Sequence, residues 1–156
     1  TYIPPGVNWS INNTSSAPAK FHWIRKLYEK DSNLTIPDTF TVNEQSVTPK
    51  EMPNDPRWKT SRFVEPTDLR HDMHVNIVSF EPGSSIPFPE THVMEHAIYI
   101  LQERGTYYLN GDGVDVEAGD FMALRAFCPQ ACQALGDEPF RYLLYKNVNR
   151  HISLGS

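Results

Sequence analysis

Three side chains that commonly bind metal ions stand close together in the segment ETHVMEH. Glu90 and His92 are two residues apart, and His96 keeps the same even parity, so on an extended strand all three project to one side. A carboxylate and two imidazoles that converge inside a barrel suit a divalent ion such as Mn, Fe or Zn. The alternative is a set of solvated polar residues near a strand edge, because Glu is rarely buried unless it is paired. The spacing alone leaves both interpretations open.

Short strands must position these side chains. From Met73 onward the chain carries brief apolar or alternating runs, which predict β-strands: MHVNIVSF, HAIYILQ, GTYYLN, VDVE, DFMALRAF and FRYLLYKNV. Turn-forming residues separate the runs, as in EPG, NGDG, AGD and LGD. Strands at this spacing, without helical repeats between them, favour an all-β sandwich or jelly-roll barrel.

The chain before residue 68 has a different character. Residues 31–65 carry four prolines among polar residues, which predicts an extended arm or linker. Before them, FHWIRKLY at residues 21–28 has apolar side chains at both parities, which predicts a strand buried on both faces. Such a strand needs a sheet to join.

Composition narrows the class of partner. The 156 residues suit one domain with additional segments, and a net charge of -5 without a basic run argues against nucleic acid. No stretch approaches the ~18 to 20 apolar residues of a membrane span. Two cysteines, Cys128 and Cys132, are too few to staple a secreted fold, so we expect free thiols and a reducing cytoplasmic setting. A small-molecule substrate is the better expectation.

Several residues together resemble the two sequence motifs of the cupin superfamily: Gly83, Glu90, His92, His96 and Gly105, followed by Glu117, Gly119, Asp120, Pro129 and Gln130. Glu90 replaces the first His of the usual pattern, His96 replaces its Glu, and Gln130 replaces its last His. This permuted set, with ETHVMEH, VEAGDFM, RAFCPQA and FRYLLYKNVNRH, resembles the (S)-ureidoglycine aminohydrolases. That family releases ammonia from (S)-ureidoglycine to give (S)-ureidoglycolate in purine (allantoin) catabolism.

The resemblance implies a cupin jelly-roll β-barrel with a manganese ion held by Glu90, His92, His96 and Gln130. A carboxylate and an amide oxygen beside two imidazoles agree with Mn or Fe, and Zn or Ni could also be loaded. Taken alone, Gln130 would be interpreted as a turn residue after a proline. Open coordination positions could chelate the substrate, with Glu90 as the contact for its amine and a hypothetical proton carrier.

Lys146 and Tyr142 lie four residues apart in FRYLLYKNV, so on a strand both can face the cavity. The resemblance implies that Lys146 is the cation for the substrate carboxylate and that Tyr142 donates a hydrogen bond. Without the resemblance, a Lys at a strand end is usually solvated. Tyr107 is a weaker candidate for the pocket wall. His22, His71, His74 and His151 are isolated from the motif in sequence and are expected to be structural.

Related proteins of this type are bicupins. The resemblance therefore implies that residues 1–30 are the last strands of a preceding cupin, that residues 31–67 are an extended interdomain linker, and that residues 68–153 are the C-terminal metal-binding cupin. Strands from an incomplete domain would leave an exposed edge, so we expect a homo-oligomer.

Three alternatives stay open. Sets of two His and one carboxylate also suit Fe(II) oxygenases. A cupin can bind a small ligand without catalysis, because one fold serves many functions. Finally, this chain could be an inactive part of a larger enzyme.

Overall fold

The computed structural model describes residues 1–53 and 55–148, and this part of the chain is almost entirely β-structure and loops. Two short 3-10 helices, Glu44–Ser46 and Leu69–His71, interrupt the loops. The strands are β1 (Lys50–Met52), β2 (Asp55–Arg62), β3 (Met73–Phe80), β4 (His96–Gln102), β5 (Arg104–Leu109), β6 (Asp112–Glu117), β7 (Phe121–Leu124), β8 (Gln130–Ala134) and β9 (Phe140–Asn147). The predicted all-β class is confirmed. Within the described ranges, no helix has the length and apolar character needed to cross a membrane.

The strands form two antiparallel sheets. The larger sheet has the order β1-β2-β3-β9-β4-β7, and the smaller has the order β6-β5-β8. Strand β9 pairs with both β3 and β4, so the end of the chain closes a gap between strands that lie earlier in sequence. This non-sequential pairing is what the jelly-roll expectation requires.

The even-numbered residues of β3, β4 and β9 point into the barrel, because side chains alternate along a strand. At one end of the interior they are aromatic and pack together. Trp58 stacks on Phe80 with ring centroids 5.6 Å apart, and Phe80 meets Phe140 at 6.2 Å. Burial of each such side chain stabilises the fold by about 1.5–3 kcal/mol. This apolar end leaves the polar inward residues at the opposite end of the barrel.

Gly105 allows the two sheets to approach each other. A Cβ atom there would lie 2.7 Å from the backbone oxygen of Gln133 and 3.2 Å from the ring of Phe140. Neither neighbour is a flexible side-chain end, so the close approach of β5 to β8 and β9 requires glycine at this position.

The strand predicted over residues 21–28 is wrong. These residues form no strand, and Phe21, Trp23 and Leu27 are exposed, Leu27 to 89%. The segment instead lies on the barrel surface: Lys26 Nζ contacts Asp72 Oδ2 at 2.7 Å, and the Tyr28 hydroxyl donates to the Arg70 carbonyl at 2.9 Å. A segment with apolar side chains at both parities forms a buried strand only if a sheet edge is available for pairing. Within the part of the chain that the structure describes, residues 21–28 pair with no sheet edge.

The large sheet begins earlier than the composition change indicates. β1 and β2 lie within residues 31–67, the range expected to be a linker, and β2 pairs with β3 from Trp58↔Phe80 to Arg62↔Asn76. The strand pattern of DPRWKTSR is weak, because the segment contains Pro56 and several charged residues and buries side chains mainly on its inner face. The division into three segments stays a prediction, and residues 149–153 of its last segment lie outside the described residues.

Candidate functional site

The loop before β4 is held against the start of β8. The backbone N–H of Glu90 donates to the Gln130 carbonyl at 2.8 Å, and the N–H of Gln130 donates back at 2.9 Å. Farther along the loop, the N–H of Phe127 donates to the His92 carbonyl at 2.8 Å. The parity argument for an extended strand does not apply to Glu90 and His92, because only His96 lies in β4. Glu90 and His92 are therefore positioned by backbone hydrogen bonds with the residues around Gln130, and not by alternation along a strand.

Three of the four expected ligands meet at the polar end of the barrel. His96 Nε2 lies 3.0 Å from Gln130 Oε1, and Gln130 Nε2 lies 3.4 Å from His92 Nε2. The two imidazole rings are 4.9 Å apart between centroids. Both Nε2 atoms therefore face the same side-chain amide, which is a suitable arrangement for donors to a shared ion.

The contacts of the two imidazoles determine which ring nitrogen carries the proton. His92 Nδ1 lies 2.9 Å from the Met94 carbonyl oxygen, so Nδ1 carries the proton and Nε2 keeps a free lone pair. Burial lowers the pKa of His96, which favours the neutral ring. Its Nε2 donates to Gln130 Oε1 at 3.0 Å, so metal binding through Nε2 requires the tautomer protonated at Nδ1. A neutral imidazole is the form that binds metal.

Glu90 joins the site through its backbone pairing with Gln130 and through its charge. The carboxylate acts electrostatically on the barrel interior, where it is one cause, after burial, of the raised pKa values of Tyr107 and Tyr142. Among residues 1–53 and 55–148, no group of three His, Cys, Asp or Glu side chains is arranged to hold a metal ion. The contacts that exist join the two imidazoles to the Gln130 amide, and this donor chemistry fits a divalent ion.

Lys146 shares a face of the sheet with His96 and His74. It is opposite His96 on β4 and opposite His74 on β3, and directly opposed residues of antiparallel strands share a face. Burial lowers the pKa of Lys146, while the charge of Glu90 opposes that shift. A cation at this position is partly desolvated, so it attracts an anion more strongly than a solvated Lys does.

Two tyrosines extend the polar surface deeper into the barrel. Tyr142 and Tyr107 are 3% and 1% exposed, and their rings meet edge-on at 6.0 Å between centroids. Burial is the main cause of the raised pKa of each tyrosine. Both are therefore neutral phenols near pH 7 and can act as hydrogen-bond donors.

Sequence reasoning missed two inward polar residues on β3. His74 was expected to be structural, but it is buried and lies directly across from Lys146. Asn76 is also buried and lies opposite Leu144. The even parity of MHVNIVSF was the available signal, since His74 and Asn76 share parity with the core residues Val78 and Phe80.

The remaining candidates are the two cysteines and three further histidines. Cys128 and Cys132 are free, as predicted, and burial raises the pKa of Cys132 to about 12. A thiol with that pKa does not supply a thiolate near pH 7. His22 packs on Tyr99 at 4.2 Å between ring centroids, and His71 packs edge-on against Tyr2 at 4.7 Å. His151 lies outside the described residues.

The sequence matches a family profile and two named proteins. The cupin domain profile matches residues 76–145. The chain is 36% identical over 152 residues to the Arabidopsis thaliana protein named (S)-ureidoglycine aminohydrolase, covering 96% of this chain and 49% of that relative. It is 39% identical over 90 residues to the Escherichia coli protein of the same name, covering 57% of this chain and 34% of that relative.

A solved structure gives a similar result. The structure described as a glyoxylate induced protein from Pseudomonas aeruginosa is 58% identical, with a TM-score of 0.73, over 83% of this chain and 48% of that one. The chain thus spans about half of this protein and of the Arabidopsis relative, and about a third of the Escherichia coli relative.

Proposed function

We propose that this chain is a member of the cupin superfamily and the metal-binding part of an enzyme that releases ammonia from (S)-ureidoglycine to give (S)-ureidoglycolate. The observation that carries the proposal is the meeting of His92, His96 and Gln130 beside Glu90. The two relatives named (S)-ureidoglycine aminohydrolase support the choice of substrate.

We propose that Glu90, His92, His96 and Gln130 hold a divalent ion. Two imidazoles with an amide oxygen and a carboxylate form a harder donor set than one containing thiolates, which supports manganese over a closed structural zinc site. Iron, zinc or nickel could occupy the same donors in a given sample. Such an ion, when bound, polarises the substrate and anchors it by chelation.

Lys146 binds the substrate carboxylate in this proposal. Its ammonium group is partly desolvated and shares a face with His96, so a carboxylate placed there lies next to the ligand set. Tyr142 lies on the same face of β9, four residues earlier, and its phenol donates a hydrogen bond to the bound substrate. Tyr107 forms the adjoining wall and orients the Tyr142 ring through their edge-on contact.

Glu90 is proposed to move the proton. The bond between the substrate's Cα carbon and its amine nitrogen breaks with the electron pair on nitrogen, and a water oxygen bonds to the same carbon. The Glu90 carboxylate accepts the proton that this water loses and returns it to the departing nitrogen, so that ammonia and the hydroxy acid are the products. A carboxylate within the ligand group can contact both the amine and the water.

The test is ammonia release from freshly generated (S)-ureidoglycine. We expect release with Mn-loaded protein, loss of release after chelation, recovery with added Mn, and no release by Glu90→Ala. The matched control is Glu138→Ala, which removes an exposed carboxylate outside the site and should keep the wild-type rate. Release at only the spontaneous rate, from protein with stoichiometric metal, would contradict the proposed activity.

A metal-dependent oxygenase is the second candidate, because two His and a carboxylate also suit Fe(II) chemistry. The contact of Gln130 with both imidazoles favours the hydrolase, since it adds a fourth donor. A cupin that binds a ureido acid without turnover is the third candidate. Substrate binding without ammonia release or oxygen uptake would support that one.

We further propose that residues 1–30 end a preceding cupin, that residues 31–67 connect it to the metal-binding cupin at 68–153, and that the protein is a cytoplasmic homo-oligomer. Several large apolar side chains near the start of the chain are exposed, which supports a partner surface: Trp9, Ile11, Phe21, Trp23 and Leu27. Sedimentation velocity of the full-length protein measures the oligomeric state.

A further inference from the structure

We propose that Asn76 determines specificity by accepting a hydrogen bond from the N–H groups of the substrate's ureido end. The inference rests on the proposed function for the identity of the substrate class. Its own observation is independent of the metal ligands, because it concerns a buried polar group on β3.

Asn76 has a side chain whose acceptor is not used. The residue is only 6% exposed, and its Oδ1 atom is buried without a hydrogen-bond partner in the described part of the chain. Buried amide oxygens are nearly always paired, and an unpaired one costs stability. A fold that keeps such a group facing the interior has either a bound ligand or an ordered water to satisfy it.

The strand register places Asn76 between the two groups already proposed to contact substrate. His74 is opposite Lys146, Asn76 is opposite Leu144, and Val78 is opposite Tyr142. Asn76 is therefore diagonal to both Lys146 and Tyr142 on one face, at a distance that side chains bridge. A small molecule held by Lys146 and extending toward Tyr142 passes the amide of Asn76.

The chemistry of a ureido acid matches this acceptor. Its carboxylate is an anion for Lys146, whereas its carbamoyl end presents several N–H donors that need acceptors. The residues directly opposite Asn76 are Leu144 on β9 and Arg62 on β2, and Ile98 lies beyond Leu144 on β4. Two of these side chains are apolar and the guanidinium only donates, so none offers an acceptor. A neutral amide also accepts an N–H without repelling the substrate carboxylate. Sites built to bind an N–H reject analogues that lack it, since the site group is then left unpaired.

The test compares two stable ligands by titration calorimetry with Mn-loaded protein. N-carbamoylglycine carries the carboxylate and the ureido group without the reactive amine, and N-acetylglycine replaces the terminal NH2 with a methyl group. We expect wild-type protein to bind N-carbamoylglycine about tenfold more tightly than N-acetylglycine. This is the difference expected when the Asn76 oxygen accepts a hydrogen bond from one ligand and stays unpaired with the other. Asn76→Leu should reduce the ratio to about one and leave the affinity for N-acetylglycine within about twofold.

Asn76→Asp keeps an acceptor at the same position, so it should keep the preference even if added charge weakens both ligands equally. Asn76→Leu replaces an unpaired polar group with an apolar one of similar size and should fold; Asn76→Val serves if it does not. An unchanged ratio in the apolar variant, equal affinities in the wild type, or no binding of either ligand overturns the inference. An Asn76-dependent preference without ammonia release from (S)-ureidoglycine would contradict the proposed function and leave this inference standing.

Discussion

The buried pair Tyr107 and Tyr142 gives the sharpest prediction for the interior of the pocket. The two rings meet edge-on at 6.0 Å between centroids in a nearly solvent-free space, and we expect their hydroxyl groups to share a hydrogen bond. Replacing either tyrosine with phenylalanine keeps the ring and removes one partner of that bond. Each single variant should lose about 1–3 kcal/mol of unfolding free energy, because a buried hydroxyl is left unpaired. The double variant removes both hydroxyl groups and leaves no orphan.

The expected result is therefore non-additive. The double variant should lose less than the sum of the single losses, and the coupling energy should be about 0.5–1.5 kcal/mol, the net value of a neutral hydrogen bond. Urea unfolding of metal-free protein near neutral pH measures all four free energies, and an unchanged m-value shows that the denatured state is comparable. Losses that add to within about 0.3 kcal/mol would refute the shared bond.

Three further predictions concern the barrel, its acid stability and its metal. Gly105→Ala should lower the free energy of unfolding by about 1–3 kcal/mol, because the added Cβ pushes Gln133 and Phe140 away from β5. Gly113→Ala should cost less, because its Cβ would meet only side-chain atoms. Thermal unfolding measures both losses. Burial lowers the pKa of His74 below 6.5, so only the unfolded chain gains this proton readily. Stability therefore falls as pH drops through that value, and His74→Gln should weaken the fall between urea midpoints at about pH 7.5 and about pH 5.5. Adding Mn at about 100 times its dissociation constant should stabilise the fold by about 2.7 kcal/mol and chelation should reverse it; an unchanged melting temperature would contradict a metal site.

Local patterning predicted much of the fold. The runs MHVNIVSF and HAIYILQ coincide with β3 and β4, because alternation at half-buried strands is a local property. The same parity argument correctly placed Tyr142 and Lys146 on one face of β9. It missed β2, whose sequence contains Pro56 and charged outward residues, and it wrongly predicted a strand over residues 21–28. In both cases the deciding factor was a partner strand, which local sequence does not contain.

The site was predictable in its chemistry and less so in its construction. Residue types and the permuted cupin motif predicted Glu90, His92, His96 and Gln130 as a set, and side-chain contacts join three of these residues in the structure. The parity of MHVNIVSF indicates that His74 and Asn76 point inward, but their proximity to Lys146 arises from the pairing of β3 with β9. That pairing joins distant parts of the chain and leaves no mark in either segment alone.

Product stoichiometry in a sealed, oxygen-monitored vessel tests the central claim most directly. The Mn-loaded protein, given fresh (S)-ureidoglycine, should release one ammonia for each (S)-ureidoglycolate formed, faster than the spontaneous reaction and without oxygen uptake. Oxygen consumption linked to turnover, or ammonia at only the spontaneous rate, would contradict a hydrolase built on Glu90, His92, His96 and Gln130.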